Sequence, residues 1–489
     1  MTERDDEGRV VLADPDSLLG MLQRGRGKGY LMALERPPQE VWPLLLECIT
    51  NDPRMDRLFE RRYYGSLILR TGMDLKLLQP LVEEGDTRRD NAGWRVDMVL
   101  STLESLARQG SSQAVEMLRD YLRYGIEWVW ATQVLGELDS PGAMEGIDEI
   151  LFHRISNDPG LYRQLQDQIE EAWAGYCRAD EETRRRWPFL LPMCEPWKRL
   201  CSKNDGFARF FLRVGEPCDP PRAVPKMSDV DVADLSVEEL LSWVNGTSLS
   251  ACRQVLVRKV SLEDETRLLE SLSSDNTYQV LLALCGLGKL GTLTAFEAVK
   301  SCIVAGEGIN GMVRGAACRA LGAMPSSRTL GTARQWFTRT EWHFQLAGGC
   351  ILEHHATLAD VPLLIEALRT PETIQGKDFR LSSTIRALAR FKGFGRIPEV
   401  ERVFCGADDG FDRGLAAETM ASTAPDHFTH EFAFECLWDC EWCACKVGCA
   451  MVDLSTPGAI ERLKEIVSDP SEEDDIRRIA ENRLDGVVG

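Results

Sequence analysis

The sequence predicts an all-α protein: an α-solenoid (α-α superhelix) in two arms with an irregular segment between them. Three observations predict it. A paired-helix pattern recurs along both ends of the chain. Apolar residues inside the pattern follow helical spacing, and the alternation of a half-buried strand is nearly absent. One such hairpin cannot bury its own apolar face, so the copies must stack on one another.

The copies are visible by eye. Gly125-Ile126-Glu127-Trp128-Val129-Trp130-Ala131 runs into Val134-Leu135-Gly136. Asn310-Gly311-Met312-Val313-Arg314-Gly315-Ala316-Ala317 runs into Ala320-Leu321-Gly322. Glu441-Trp442-Cys443-Ala444-Cys445 opens the last copy, which continues through Pro457-Gly458-Ala459 to Leu463. Equivalent ends of the first helices fall at Thr71, Ala107, Gly136, Gly288, Gly322, Glu353, Ala389, Ala421 and Asp453. Most neighbours are about 29–37 residues apart, the range of paired-helix repeats. Second helices are expected over Leu77–Val82, Ala114–Leu122, Ala143–Leu151, Ala295–Ile303, Leu330–Trp336, Val361–Leu368, Ile397–Phe404 and Ala459–Val467. Val361, Leu364, Ile365 and Leu368 share one helical face, as do Ile460, Leu463 and Val467.

The pattern breaks between about residues 152 and 235. Leu161–Tyr176 predicts a longer helix, and Glu181–Arg186 is a charged run. Pro217, Pro220, Pro221 and Pro225 then forbid helix and predict a linker or strap. Asp234-Leu235-Ser236 with Glu238 and Glu239 marks a helix start. The expected organisation is an N-terminal arm over 1–152, an irregular helical segment and proline-rich linker over 153–235, and a C-terminal arm over 236–489. The acid-first tail Ser471–Ala480 predicts a polar capping helix.

The repeats resemble HEAT repeats, and more closely the short bacterial kind of the phycobilin-lyase family. The residues that carry the resemblance are Val313 to Gly322, Trp94-Arg95-Val96, and the turns Pro141-Gly142-Ala143 and Pro457-Gly458-Ala459. It covers about residues 55–152 and 265–489. Most copies lack the Val-Arg pair, so lyase activity is not carried over. The resemblance implies a HEAT-like solenoid whose second helices line the concave side.

Composition narrows the function. The net charge of −20 opposes duplex nucleic acid and anionic membrane, because phosphate binding needs a basic face. No stretch approaches the roughly 18 apolar residues of a spanning helix. The polar, acidic start Met1-Thr2-Glu3-Arg4-Asp5-Asp6-Glu7 does not read as a secretory signal, so a cytoplasmic protein is expected. The 16 cysteines are scattered and read as reduced thiols. Cys285, Cys318 and Cys350 sit where Ala or Val would also fit.

Candidate chemistry is sparse. Cys436, Cys440, Cys443, Cys445 and Cys449 form the sharpest cluster. A helix break near Asp439 would divide them, and Cys440-x-x-Cys443 has no second pair, so small core residues are expected and no metal. Cys350 with His354, and His427 and His430 with Cys436, offer incomplete ligand sets. Gly286, Gly288 and Gly291 imitate a dinucleotide loop but follow a helix. Nucleophile-elbow, Walker and His-Glu-x-x-His motifs are missing. Trp94, Trp128, Trp342 and Trp442 recur at helix starts, as buried anchors or as binding aromatics.

The expectation is therefore a scaffold or adaptor without catalysis or cofactor that binds a protein partner, a basic one being favoured by the charge. Candidate contacts are the polar second-helix positions Glu116, Arg119, Glu145, Glu297, Lys300, Arg334, Gln335, Glu366, Arg369, Glu461 and Lys464. Two alternatives remain. One is an enzyme on a HEAT scaffold, bilin-lyase-like or DNA-glycosylase-like. The other is a bacterial immunity or defence adaptor that masks a basic partner.

Overall fold

A computed structural model describes residues 11–50, 60–87, 93–138, 142–157, 232–246, 248–305, 310–370, 380–469 and 472–488. Among these residues every regular element is a helix. The chain divides into two compact units, Met1–Arg222 and Ala223–Gly489. The sequence readings at 161–176, 181–186 and 216–225 lie outside the described residues.

The first unit contains α1 (Leu18–Gln23), α2 (Gly27–Glu35), α3 (Pro38–Thr50), α4 (Glu60–Thr71), α5 (Gln79–Thr87), α6 (Gly93–Arg108), α7 (Ser112–Tyr121), α8 (Trp128–Glu137) and α9 (Ile147–Asn157). Helix α4 packs on both α2 and α6. Tyr63 and Tyr64 on α4 donate their hydroxyls to the carbonyls of Arg26 and Leu22, at 2.8 and 2.9 Å. Buried tyrosines thus bond carbonyls at the end of α1 and at the N-cap of α2 while their rings fill the core.

The second unit opens with α10 (Val237–Trp243), α11 (Leu249–Lys259) and α12 (Glu265–Ser271). Ser236 and Glu239 cap α10 reciprocally, as the sequence predicts. Pairs then follow: α13 (Thr277–Leu290) with α14 (Leu293–Val304), α15 (Gly311–Ala323) with α16 (Ser326–Phe337), and α17 (Trp342–His355) with α18 (Val361–Ala367). Next come α19 (Leu381–Ala389) with α20 (Pro398–Gly406), and α21 (Gly410–Thr423) with α22 (Pro425–Glu431) and α23 (Ala433–Cys436). The last are α24 (Trp442–Met451), α25 (Ala459–Ser468) and the closing α26 (Asp474–Val488).

The stacking order makes this unit a solenoid. Helix α13 packs on α15, α15 on α17, α17 on α19, α19 on α21, α21 on α24, and α24 on α26. Most second helices pack against the next first helix, as α16 does on α17 and α20 on α21. One continuous apolar core runs from Val237 to Ala480. Each repeat contacts its neighbours, which is the condition for a linear array. Close approach of the first helices needs small residues: a Cβ on Gly288 of α13 would lie 2.9 Å from Ala320 Cα on α15. Gly291 ends α13 at φ 59°, the left-handed C-cap that glycine permits, so these glycines serve helix packing and turning.

Seven of the eight second helices expected from sequence occupy the expected positions within a few residues. The span Ala143–Leu151 is shifted: Gly146 at φ 69° holds a turn, and α9 starts only at Ile147. The helices over 18–50 and 237–259 extend both arms beyond the span of the resemblance.

Candidate interaction surface

The second-helix positions do not form one free face. Arg119 donates to the carbonyls of Gly142 and Glu145 in the following repeat. Arg334 makes two bonds to Asp360, at 2.6 and 3.1 Å. Arg369 bridges Glu399 at 2.9 Å and Glu366 at 3.0 Å. Arg402 and Arg462 donate likewise to the carbonyls of Leu368 and Leu437. Three of the candidate cations, Arg119, Arg334 and Arg369, are therefore engaged as links between repeats. Lys300 pairs with Glu297 at 3.4 Å. Glu116, Glu145, Gln335, Glu461 and Lys464 point outward as exposed polar side chains.

Asp360 is the residue that sequence reasoning missed here. It is buried, and burial alone would raise its carboxyl. Arg334 and the backbone and hydroxyl of Thr357 outweigh that and hold it below the usual range. The spacing Thr357-x-x-Asp360 was its available signal, since the two form a capping box.

The opposite kind of surface lies at the starts of the first helices. A second helix returns the chain between successive first helices, so these run the same way and share one N-terminal edge. Tyr278, Met312, Trp342 and Phe411 occupy the first or second position of α13, α15, α17 and α21. They are 36, 53, 38 and 39% exposed. Trp442 starts α24 and is partly exposed. The corresponding place on α19 holds Ser382, whose hydroxyl donates to Asp412 at 2.6 Å. Cations brace the rings: Arg314 lies 4.5 Å from the Trp342 centroid, Arg386 5.4 Å from Phe411, and Lys446 5.5 Å from Trp442.

The tryptophans thus divide between the two readings. Trp128 is fully buried and acts as an anchor. Trp342 faces solvent on the edge. The side chain of Trp94 lies outside the described residues.

Beneath the edge, between α21 and α24, a polar network is buried. Arg413 and Asp439 have no exposed side-chain surface and are joined by three bonds of 2.8 to 3.1 Å. Asp439 also accepts the Glu441 amide at 2.9 Å, and Arg413 reaches Cys440 Sγ at 3.3 Å. Burial pushes the neighbouring Asp412 carboxyl up to about 6, with Asp409 adding to it and Ser382 and Arg386 opposing.

The expected break near Asp439 is present between α23 and α24. Cys436, Cys443, Cys445 and Cys449 are buried, as small core residues would be. His427 bonds Glu401 at 2.9 Å, while Cys436 lies in the core. Among the described residues, no group of three or more His, Cys, Asp or Glu side chains is placed to hold a metal ion.

No family model matches this chain, and no curated protein matches it. Among solved structures, the crystal structure of She4p is similar at 12% identity and a TM-score of 0.20. That alignment covers 96% of this chain and 70% of She4p. The fold assignment rests on the helix stacking described above.

Proposed function

We propose that this chain is a non-catalytic protein-binding scaffold or adaptor, and that the first-helix edge of the second unit is its contact surface. One observation carries the reading: Tyr278, Met312, Trp342 and Phe411 are exposed at one repeated register. Aromatic residues and Met are enriched where proteins bind, and single exposed apolar residues would not recur in step. Packed helices stand about 8–10 Å apart. An extended segment rises about 3.3 Å per residue, so it would meet one edge position every third residue.

The charge of −20 favours a basic partner, steered to the surface before apolar contacts close. Exposed Glu297, Glu366 and Glu461 supply acidic positions on the second helices. No helix among the described residues is long and apolar enough to cross a membrane. A cytoplasmic setting fits the free thiols. The short HEAT type remains the finer form of the fold reading, and it supports binding because such arrays present long surfaces.

The test is direct binding with two sets of variants. Trp342→Ala with Phe411→Ala removes edge anchors; Glu297→Ala with Glu366→Ala removes second-helix charges. Loss of a purified partner in the first set, at unchanged helicity, supports the edge. Equal binding by wild type and edge variant refutes it.

A further inference from the structure

The stacked first helices bring two thiols together, and the scaffold reading makes no use of them. Cys318 stands on α15 and Cys350 on α17, in successive repeats that pack directly on each other. The two helices run the same way and approach closely. A Cβ on Gly322, one turn after Cys318, would lie 2.9 Å from the Cys350 carbonyl oxygen. Side chains on a helix lean toward its N-terminus, so Cys350 leans back toward the turn that carries Cys318. The thiols meet there, and Cys318 donates a hydrogen bond to the Cys350 sulfur.

The pair is asymmetric. Cys318 is 1% exposed, whereas Cys350 is partly exposed, so a small reagent reaches only the second. The bond from Cys318 draws the Cys350 thiol below its ordinary value, with Arg319 and Arg386 adding to it and burial and Glu353 opposing. The same bond, with burial, raises the Cys318 thiol, which keeps its proton. An accessible sulfur that favours the thiolate, backed by a buried thiol, suits the formation and resolution of a sulfenic acid.

We propose that Cys318 and Cys350 form a peroxide-reactive pair whose oxidation product is a disulfide between successive repeats. The Cys350 thiolate attacks one oxygen of hydrogen peroxide. An S–O bond forms, the O–O bond breaks, and hydroxide leaves with the electron pair. It takes up the proton that Cys350 gave to solvent and becomes water. The Cys318 sulfur then attacks the sulfenic sulfur of Cys350. The S–O bond breaks, and its hydroxyl leaves as water with the Cys318 proton. The two thiols lose two electrons and the peroxide gains them, giving one disulfide and two waters. Closing from a hydrogen-bonded contact to a bond of about 2.05 Å takes side-chain rotation with a small shift of the helices. The product ties α15 to α17, which carry Met312 and Trp342 at the edge.

The experiment treats the reduced full chain with hydrogen peroxide, blocks the remaining thiols with iodoacetamide and maps the products by peptide mass spectrometry. Wild type is expected to yield a Cys318–Cys350 disulfide within one chain, reversed by dithiothreitol. Cys318→Ser is expected to stop at the Cys350 sulfenic acid, trapped by dimedone, and Cys350→Ser should give neither product. Dimedone trapping on wild type at short times serves as a second measurement, independent of how the variants fold. Cys350 should be trapped about tenfold faster than Cys302 or Cys405, which are also partly exposed. Trapping of Cys350 at their rate, or a disulfide that joins Cys350 to any cysteine other than Cys318, overturns the proposal.

Discussion

Asp412 is the residue whose burial sets the clearest pH signature. Its folded value of about 6 lies above the ordinary 3.8, so the native state holds the proton more tightly than the unfolded chain. Its contribution is most favourable below pH 3.8 and is lost as pH rises through 6. At pH 7.5 the shift corresponds to about 3 kcal/mol at most. Asp412→Asn is therefore expected to stabilise the protein at pH 7.5 by about 1–3 kcal/mol and to change little at pH 4. Urea unfolding at both values checks it; equal effects would show that Asp412 is not the group. Two ion pairs of the second unit should also behave differently. Asp439→Ala leaves Arg413 charged and wholly buried, and is expected to cost about 3–5 kcal/mol. Arg334→Ala removes a cation that is 44% exposed and leaves the buried Asp360 its two Thr357 bonds, so a smaller loss of about 1–2 kcal/mol is expected. Denaturant midpoints at neutral pH distinguish them. Little of this was legible beforehand. Arg413 sits in a run of small residues that marks a helix, and nothing in the run says that an arginine turns inward. Trp128 and Trp342 share a position at helix starts yet differ in burial, because neighbouring repeats, not the local pattern, decide what covers them.

Helices were legible where the apolar period was long and a cap preceded it. Asn276, Thr292 and Asn310 each cap the helix they precede, and small or apolar residues dominate the buried positions behind them. Short helices were harder. The pair α22 and α23 is broken at Phe432 and opens on Pro425, so neither piece completes two helical turns. Helix α9 was misplaced by one turn because Gly146 favours a conformation that periodicity ignores. Glycine positions supply a test at this scale. Gly288→Ala would push a methyl group into the backbone of α15, and about 1–3 kcal/mol of destabilisation is expected. Gly331 lies inside α16 with open space around it. Gly331→Ala should stabilise by about 0.5–1 kcal/mol through helix propensity alone. Thermal unfolding of the two variants should move in opposite directions; movement in the same direction would contradict the close α13–α15 approach.

Across the whole molecule, repetition is what the sequence announced best, and use is what it announced least. A solenoid core demands the same small and apolar residues in every copy, so the pattern repeats and can be read. A binding surface needs exposure, which depends on what the next repeat leaves uncovered. The polar second-helix positions looked like contacts, yet Arg119, Arg334 and Arg369 are engaged between repeats. The exposed edge formed by Tyr278, Met312, Trp342 and Phe411 emerged only from the stacked helices. The second unit carries its own continuous core, so Ala223–Gly489 expressed alone should fold as a helical domain. Circular dichroism of the fragment checks this, and a fragment without helix would refute an independent unit. The most direct test of the scaffold account compares affinity capture by the full chain and by its Trp342→Ala/Phe411→Ala variant, followed by titration of the purified partner across a salt series. The account predicts a stoichiometric protein partner that the variant binds at least about tenfold more weakly, with wild-type binding falling as salt screens the steering charges. Undiminished binding by the variant, or tight binding of duplex DNA at physiological salt, would contradict it.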